Sequence, residues 1–298
     1  MGATTRFQMR NGRATRALAF SVAAAATVVL AAAPAAHAIP VPGVQARAII
    51  SPSFSCPVPM AGCAPVDNIV ESSVGPVHAD GFAIGGFGGA GSATSDVTFG
   101  AMHLYGHFIN QGNATGAGAF RDLLTFSAPG VATGALMDVT FGVLVEGGID
   151  GVNGAEGRWQ LQADLGGGAY DINAFAHNND LGGYQGSPFG LYQATVQVQA
   201  GFQAPLVVEV GASAVSSTGG EAVADLVDSF YWTGISSVKV GGVALDDFTV
   251  TSASGTNWTN SFVPAATGVP EPATWAIMLL GFGGLGAALR AHRRTAAA

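Results

Sequence analysis

Gln193-Ala194-Thr195-Val196-Gln197-Val198-Gln199-Ala200 is the stretch of sequence from which the fold class follows most directly. Apolar and polar residues alternate along it, so one side of an extended chain is apolar and the other carries glutamine and threonine. A period of two is typical of a strand with one face on a hydrophobic core. The stretch therefore predicts a half-buried β-strand.

Similar patterns recur along the rest of the chain. Arg158 to Asp164 alternates in the same way, with Trp159, Leu161 and Ala163 predicted to point inward. Glu221 to Trp232 comes closest to a helical pattern, but its aromatic end suits a strand equally well. Many short strands between Gly, Asn, Asp and Ser clusters predict an all-β fold, an antiparallel β-sandwich of jelly-roll type with long Gly-rich loops. Further β-rich runs are Met137 to Val145, Leu206 to Val210, Ser236 to Val240 and Phe248 to Ser252.

Glycine is about twice as frequent as usual, with 44 glycines in 298 residues. The runs Gly85 to Gly91 and Gly112 to Gly118 predict loops or bulges between strands, because glycine adopts positive φ without strain. Gly86 to Gly91 also spells G-x-G-x-x-G, as does Gly281 to Gly286. A dinucleotide site needs a strand before this motif and a helix after it, so we interpret both matches as chance.

Basic residues are concentrated at the two ends of the chain. The chain has 11 basic and 19 acidic residues, and seven of the basic ones lie within the first 16 or the last nine positions. Between Ile39 and Gly268, 18 acidic residues face four basic ones, a net charge of −14. So few cations exclude nucleic acid and anionic lipid as partners of this part, whereas cations and neutral glycans remain.

Residues 1–38 have the organisation of a secretory signal peptide. A basic region precedes the apolar segment Ala17 to Ala33, and Ala36-His37-Ala38 forms a small-x-small cleavage site. We therefore expect export through the general secretion (Sec) machinery and cleavage by signal peptidase after Ala38. The basic region contains Arg6, Arg10, Arg13 and Arg16.

Cys56 and Cys63 are the two cysteines of the chain. They enclose a short loop rich in proline and glycine in a chain directed to an oxidising compartment, so we predict a disulfide between them. Closing a loop of this size stabilises the fold by about 2.5 kcal/mol through the entropy of the unfolded chain. The C-x6-C spacing is not typical of a metal or redox pair.

The last thirty residues combine a Pro-Glu-Pro tripeptide, an uncharged span and a basic end. As a helix, Ala273 to Leu289 would extend roughly 25 Å, slightly less than the hydrocarbon core of a bilayer. The arginines after this span predict a cytoplasmic C-terminal end and an external domain before it. Glycines within the span weaken it as a permanent anchor. The arginines are Arg290, Arg293 and Arg294, and the glycines are Gly281, Gly283, Gly284 and Gly286.

These features together resemble the PEP-CTERM sorting domain, in its PEPxxWA form, of Gram-negative bacteria that make exopolysaccharide. Pro270-Glu271-Pro272 and Trp275-Ala276 carry the resemblance, with the glycine-broken span and the terminal arginines. It implies that an exosortase, a membrane-embedded cysteine peptidase or transpeptidase, reads the Pro-Glu-Pro motif and cuts near it. It further implies transient insertion of the C-terminal helix in the inner membrane, followed by transfer to the cell surface or the extracellular (biofilm) matrix.

The predicted organisation has four parts. A signal peptide (1–38) precedes a secreted β-sandwich domain (39–262), a linker (263–269) and the sorting signal (270–294), which includes the transmembrane segment 273–289. The linker contains proline, alanine, threonine and glycine, a composition that would hold the sorting motif clear of the folded domain.

The predicted domain has neither a G-x-S-x-G nor an H-E-x-x-H motif. A glycan hydrolase needs only two carboxylates, which Asp164 with Asp171 would supply. Solvated acids in loops and at strand ends are the simpler interpretation. Asp225 with Asp228 is a second carboxylate pair. His103 and His107 would share one face of a strand, but they lack a third zinc ligand nearby in the sequence.

Calcium is the one metal that the sequence suggests. Asp150, Asn153 and Glu156 offer oxygen ligands on the glycine-rich stretch Gly148 to Glu156, and calcium prefers several oxygens at once. Their spacing is not that of an EF-hand, and a plain acidic hairpin loop is the simpler interpretation. No other cofactor is indicated.

From these features we expect an exported surface or exopolysaccharide-matrix protein with a structural or adhesive role, and not an enzyme. A carbohydrate-binding module for the exported polysaccharide is the first alternative, and an extracellular glycan hydrolase is the second. Several aromatic residues could stack on sugar rings, but packing in the core is the default interpretation of each. Those candidates are Tyr170, Tyr184, Phe189, Tyr192, Tyr231 and Trp232.

Overall fold

The computed structural model describes residues 42–52, 65–73, 75–84 and 88–264, without the side chains of residues 217–218 and 227–229. In this part of the chain the regular elements are β-strands and no α-helix occurs. None of these residues forms a helix long and apolar enough to span a membrane. The signal peptide, Cys56 and Cys63, and the sorting signal with its predicted span lie outside the described residues.

Fourteen strands occur among the described residues, and their pairs are antiparallel. All of them belong to the first of two compact units, residues 1–262 and 263–298. In chain order they are β1 (Gly43–Pro52), β2 (Val66–Ser72), β3 (Val77–Ile84), β4 (Ala90–Thr98), β5 (Ala101–Ser127), β6 (Leu136–Val145), β7 (Gly148–Val152), β8 (Glu156–Leu165), β9 (Ile172–Asn179), β10 (Gly183–Gly186), β11 (Gly190–Gln199), β12 (Gln203–Val240), β13 (Val243–Ala244) and β14 (Thr249–Ser252).

Two long strands, β5 with 27 residues and β12 with 38, form the centre of the sheet. They pair with each other along most of their length, with register shifts between Ser216 and Gly220 and between Leu226 and Phe230. β1 and β2 extend the sheet from the second half of β5, and β8, β9 and β10 extend it from the first half of β12. β4 pairs with the first half of β5, and β3 pairs with β4. β7 pairs with the middle of β12, β6 pairs with the end of β12, and β11 pairs with β6.

The sheet curls so that parts of it face each other. Where β5 passes Asn110 and Gly112, both at positive φ (68° and 151°), its outer neighbour changes from β4 to β1. At the register shift between Ser216 and Gly220, the outer neighbour of β12 changes from β8 to β7. The two long strands bend together, and β1 and β2 come to lie against β3 and β4.

The all-β antiparallel class predicted from the sequence is confirmed, but the strands form one curled sheet and not the two short-stranded sheets of a jelly roll. Leu206 to Val210 and Ser236 to Val240, predicted as separate strands, are parts of β12. The prediction of a loop between strands at Gly112 to Gly118 was wrong, because this run is inside β5. Only its start is irregular, where Gly112 has a positive φ and lies opposite the register shift of β12. Within this run a Cβ on Gly116 would meet backbone and one on Gly118 would meet the side chains of Val97 and Met102, while Gly112 combines a positive φ of 151° with close packing against the Phe108 ring.

Three glycines illustrate close packing against backbone, and we call Gly106, Gly116 and Gly157 the glycine seam. A Cβ added to Gly106 would lie 2.6 Å from the Ala114 carbonyl oxygen, and one on Gly116 would lie 2.3 Å from that of Thr94. A Cβ on Gly157 would lie 2.2 Å from the Val223 carbonyl oxygen. Side chains are excluded at these positions because backbone lies directly opposite.

Large rings fill another part of the interior, which we call the aromatic core: Phe120, Phe141, Trp232 and Trp258. Trp258 stacks on Phe120 with ring centroids 5.2 Å apart, and Trp232 stacks on Phe141 at 5.3 Å. The two tryptophans meet edge to face at 5.4 Å. All four residues are buried, and such rings contribute a large share of the hydrophobic free energy of folding.

The local strand predictions agree with the structure. The alternating stretch Gln193 to Gln199 lies in β11, and Ala200 is the first residue of the turn that follows. Val198 and Ala200 are buried and the glutamines are exposed. Trp159, Leu161 and Ala163 point into the core from β8, as predicted. The runs starting at Met137 and Phe248 lie in β6 and β14 with shifts of one residue at their starts.

Candidate functional site

A buried carboxylate fixes the segment that leads toward the sorting motif. Asp122 is fully buried (0% exposed) on the inner face of β5. It accepts hydrogen bonds from the Ser254 backbone N–H at 3.1 Å, the Ser254 hydroxyl at 2.5 Å and Trp258 Nε1 at 2.7 Å. Hydrogen bonds to a buried charge are among the stronger ones in proteins, so Asp122 holds this segment against the sheet.

The attachment continues to Phe262. Trp232 Nε1 donates to the Trp258 carbonyl oxygen at 2.8 Å, and the Phe262 N–H donates to the Trp232 carbonyl oxygen at 2.9 Å. The ring of Phe262 packs on Trp258 with centroids 5.9 Å apart. We call Asp122, Ser254, Trp258 and Phe262 the C-terminal clasp, and the first compact unit ends at its last residue.

Aromatic side chains also gather around Trp159, between β8, β10 and β11. Phe189 stacks on Trp159 at 5.6 Å, and Tyr192 meets it edge-on at 6.0 Å. Trp159 Nε1 donates to the Tyr184 hydroxyl oxygen at 3.3 Å, and the Tyr184 hydroxyl donates to the Ser187 carbonyl oxygen at 2.5 Å. Burial is the main cause that raises the pKa of Tyr192.

This aromatic cluster contains half of the sugar-stacking candidates from the sequence. Tyr184, Phe189 and Tyr192 come together, and Tyr184 keeps 41% of its surface exposed. Tyr231 and Trp232 are buried, as the core interpretation predicts. Tyr170 is exposed at a different place, and Trp159, the centre of the cluster, was predicted from the sequence only as an inward strand residue.

Asp164, which is buried (6% exposed), and Asp171, which is exposed, lie near Tyr170, Glu209 and Arg121, and we call these five residues the carboxylate patch. Asp171 is in hydrogen-bonding contact with Asp164. Burial, the largest cause, and the Asp164 charge raise the pKa of Asp171, while the Leu165 N–H, 2.8 Å from Asp171 Oδ2, opposes the shift. Arg121 Nη2 donates to Glu209 Oε1 at 2.9 Å.

The geometry of the patch bears on the hydrolase alternative. Two carboxylates that cleave a glycosidic bond flank it at a distance of roughly 5 to 9 Å, whereas Asp164 and Asp171 contact each other. Asp164 also accepts backbone hydrogen bonds from Gly167 and Gly168 at 3.1 and 3.2 Å. This pair therefore organises the loop after β8, while the side chain of Asp228, from the other predicted pair, lies outside the described residues.

The residues of the predicted calcium loop point to different partners. Glu156 Oε2 accepts from Arg158 Nη2 at 2.9 Å, and its other oxygen lies 2.7 Å from His177 Nδ1, at an angle that does not make a hydrogen bond. Asp150 accepts from the N–H of Gly151 at 2.8 Å. Glu156 is thus occupied by cationic and imidazole groups and not directed toward Asp150.

The turn after β7 is instead held by Asp180. Its carboxylate accepts from the Asn153 N–H at 2.7 Å and the Gly154 N–H at 3.1 Å. The hydrogen bond from Gly154, followed by that from Asn153, lowers the pKa of Asp180. A backbone turn that a carboxylate already satisfies has less need of a cation, so this arrangement gives the calcium prediction no support.

Within the described residues, no group of three or more His, Cys, Asp or Glu side chains is placed to hold a metal ion. His103 and His107 lie on one face of β5, as predicted. His107 Nε2 lies 2.8 Å from Glu221 Oε1, and the His103 ring meets the Tyr231 ring edge-on at 5.9 Å. The two histidines have separate partners.

Comparison with known protein families bears on the end of the chain. Residues 268–294 match the family described as the PEP-CTERM protein-sorting motif. The chain carries a PEP-CTERM motif. This confirms the resemblance seen in the Pro-Glu-Pro, tryptophan and arginine positions, and it is consistent with an exosortase substrate. The PEP-CTERM motif indicates export and passage through the membrane toward the cell surface.

Other comparisons give no information about the domain that the PEP-CTERM motif delivers. No curated protein matches the chain. The crystal structure of the enzymatically active domain of tailspike protein 4 from bacteriophage CBA120 aligns with a TM-score of 0.19 and 10% sequence identity. The alignment covers 53% of this chain and 19% of the tailspike chain. At this TM-score the likeness supports no argument about fold or activity.

The PEP-CTERM motif begins six positions after Phe262, the last residue of the clasp. Sequence reasoning found the motif but missed the clasp, because Asp122 and Ser254 are 132 residues apart. One signal was present in the sequence. Asp122 occupies an inward position between Phe120 and Leu124 in an alternating strand, and a carboxylate there needs buried hydrogen-bond donors.

Proposed function

We propose that this chain is an exported, exosortase-sorted β domain with a structural or adhesive role at the cell surface or in the exopolysaccharide matrix. The PEP-CTERM motif at residues 268–294 is the observation that carries the proposal. The Sec machinery and signal peptidase would act on residues 1–38, and an exosortase would act near Pro270. The C-terminal helix would hold the chain in the inner membrane only until this cleavage.

The fold of the domain is compatible with cleavage near Pro270. All four residues of the C-terminal clasp precede the motif, so a cut there removes none of the hydrogen bonds or ring contacts that fix the end of the domain. The core and the strands of the first compact unit would remain intact after cleavage. The high net negative charge of residues 39–268 would also keep the released domain soluble in a hydrated matrix.

The proposal is tested by the C-terminal mass of the exported chain in its host. We expect the native chain to end near Pro270 and to lack Trp275 onward. A chain with Pro270→Ala, Glu271→Ala and Pro272→Ala should keep Ala298 and accumulate in the membrane fraction. Pro264→Ala, which changes a proline outside the motif, is the matched control and should be processed normally. An intact C-terminus in the native chain, or equal processing of the triple variant, would contradict exosortase sorting.

Binding of the exported polysaccharide is a second candidate function, supported by the aromatic cluster at Trp159. Tyr184 presents an exposed ring that is held by hydrogen bonds to Trp159 and Ser187, and a fixed aromatic ring is a suitable surface for the apolar face of a sugar. This candidate role is compatible with sorting to a polysaccharide matrix.

Affinity electrophoresis through the exopolysaccharide of the host tests this second candidate. We expect Tyr184→Ala to weaken retardation about fivefold, equivalent to about 1 kcal/mol of ring contact. Tyr170→Ala is the matched control, because Tyr170 is equally exposed (43%) but lies in the carboxylate patch. Equal retardation of both variants and the native chain would remove the aromatic cluster as a binding site.

A further inference from the structure

Three strands longer than five residues are paired on one side only among the described residues, namely β2, β3 and β11. Such an edge presents backbone N–H and C=O groups that another strand can pair with. β2 carries Asp67 and Glu71, and β3 carries Asp80. Charges on an edge oppose pairing between identical strands, because they bring like charges together.

β11 lacks this protection. It is the longest of the three at ten residues, and it contains no charged residue and no proline. Its pairing with β6 shows no register shift, so it also lacks the bulge that disrupts many natural edges. In a domain with 18 acidic residues, the absence of charge along this whole strand leaves one edge open to pairing.

The ladder geometry shows which backbone groups are open. At the end of β11, the Ala200 N–H donates to the Ala135 carbonyl oxygen at 2.9 Å, and the Ala200 carbonyl accepts from the Gly134 N–H at 2.8 Å. Because backbone groups alternate in direction along an antiparallel strand, those of Gln193, Thr195 and Gln197 point away from β6. Gly166 approaches the edge near the Gln197 carbonyl oxygen, so the part before Gln197 is the more open.

We propose that β11 is a self-association edge, through which two copies of the domain pair antiparallel and continue one sheet into the other. A second copy fits better than other strands because it brings the same unpaired groups, so one contact satisfies both edges. Polar side chains face Gln and Thr of the partner across this contact, and no carboxylate of either β11 opposes another. The inference goes beyond the proposed sorting function and requires only the folded domain.

Sedimentation velocity of the exported protein over a concentration series is the first test. We expect reversible dimers in the native chain and at least tenfold weaker association for Thr195→Lys, which places like charges across the two-fold contact. Thr140→Lys is the matched control. Thr140 and Thr195 share one hydroxyl hydrogen bond of 2.8 Å, but Thr140 lies on β6, which is paired on both sides. Both variants lose this bond and gain the same charge, and Thr140→Lys also loses the hydrogen bond that the Ser237 hydroxyl donates to Thr140 Oγ1 at 3.1 Å, so it is the more demanding of the two for the fold.

Peptide-resolved hydrogen exchange at low and high protein concentration is the second test, and it uses the native chain alone. Dimerisation should protect the peptide that contains residues 190–199 and leave β2 and β3 unchanged. The proposal fails if the native chain stays monomeric at the highest concentration, if Thr140→Lys weakens association as much as Thr195→Lys, or if the protected edge is β2 or β3. None of these outcomes depends on cleavage by an exosortase.

Discussion

The glycine seam and the aromatic core fill one curled sheet in opposite ways. At the seam, Gly106 and Gly116 allow backbone to approach backbone, with no space for even a Cβ. In the aromatic core, the rings of Phe120, Phe141 and Trp258 separate the facing strands. Facing sheets are usually about 10 Å apart, so residue size along β5, which contributes to both regions, helps to set where the curl is narrow and where it is wide.

The comparison shows why this domain needs both unusual glycine content and large aromatic residues. β5 passes through both regions: Gly106 and Gly116 belong to the seam, and Phe120 belongs to the aromatic core. A curl formed by a continuous strand cannot change its spacing through a loop. The spacing therefore has to change residue by residue along the strand, which makes the two regions sensitive to opposite kinds of substitution.

Enlarging a residue of the seam should have the largest effect. Gly106→Val would place Cβ 2.6 Å from the Ala114 carbonyl oxygen and 3.1 Å from that of Ala212, and backbone cannot move aside as a flexible side chain can. We expect a loss of about 5 kcal/mol or more in the free energy of unfolding, measured by denaturant titration. Gly148→Val is the control, since nothing lies within 4 Å of a Cβ there. A midpoint for Gly106→Val equal to that of the control would show that the seam is not tightly packed.

Removing a ring from the aromatic core should have the next largest effect. Trp258→Ala leaves a cavity and removes the indole donor to Asp122, so we expect a loss of about 4 kcal/mol. Phe202→Ala removes a ring that is half exposed and should cost less than about 1 kcal/mol. Thermal unfolding of the two variants measures the difference. If Trp258→Ala unfolds at the temperature of Phe202→Ala, the clasp does not hold the end of the domain.

The smallest effects should come from two surface aspartates outside both regions. Their contributions to the stability of the domain should change in opposite directions as the pH rises. Burial raises the pKa of Asp171, so its contribution to stability is complete below its ordinary pKa of 3.8 and is lost as the pH rises through the folded value. The Gly154 and Asn153 N–H groups lower the pKa of Asp180, so its contribution is present above 3.8 and is lost as the pH falls through the folded value.

Near neutral pH, Asp171→Asn should therefore raise the stability of the domain relative to the native chain. In acid this gain should disappear. Asp180→Asn should do the reverse, with its loss of stability seen near neutral pH and not in acid. Denaturant midpoints between pH 3 and pH 7 measure both. Parallel pH profiles for the two variants would contradict the assigned environments of the carboxylates.

Much of the fold was predictable where the signal is local. The alternation from Gln193 to Ala200 and from Arg158 to Asp164 predicted two strands and their buried faces, because side-chain direction in a strand depends only on the parity of the position. The glycine run from Gly112 to Gly118 was misinterpreted for a physical reason. Glycine is favoured both at positive φ and at close backbone approach, and only the facing strand distinguishes these two uses.

The candidate sites divide in the same way. The PEP-CTERM motif was recognisable because Pro270, Glu271, Pro272 and Trp275 lie within six consecutive positions of the sequence. The clasp and the aromatic cluster were not, since each combines residues from distant strands. Glu156 is the opposite case. Its spacing from Asp150 and Asn153 suggested a calcium ligand, whereas in the structure Arg158 donates to one of its oxygens and the His177 ring lies beside the other.

The sequence by itself determined that this protein carries a PEP-CTERM sorting motif, that its domain is all-β, and which faces of several strands are buried. These properties depend on short, continuous segments of the chain. Only the tertiary structure decided that β5 and β12 bend together into one curled sheet, that Asp122 binds Ser254 and Trp258, and that the uncharged strand β11 is an edge among the strands described. Such features depend on register and on contacts between residues that are tens of positions to more than 100 positions apart, for which a local sequence pattern contains no signal.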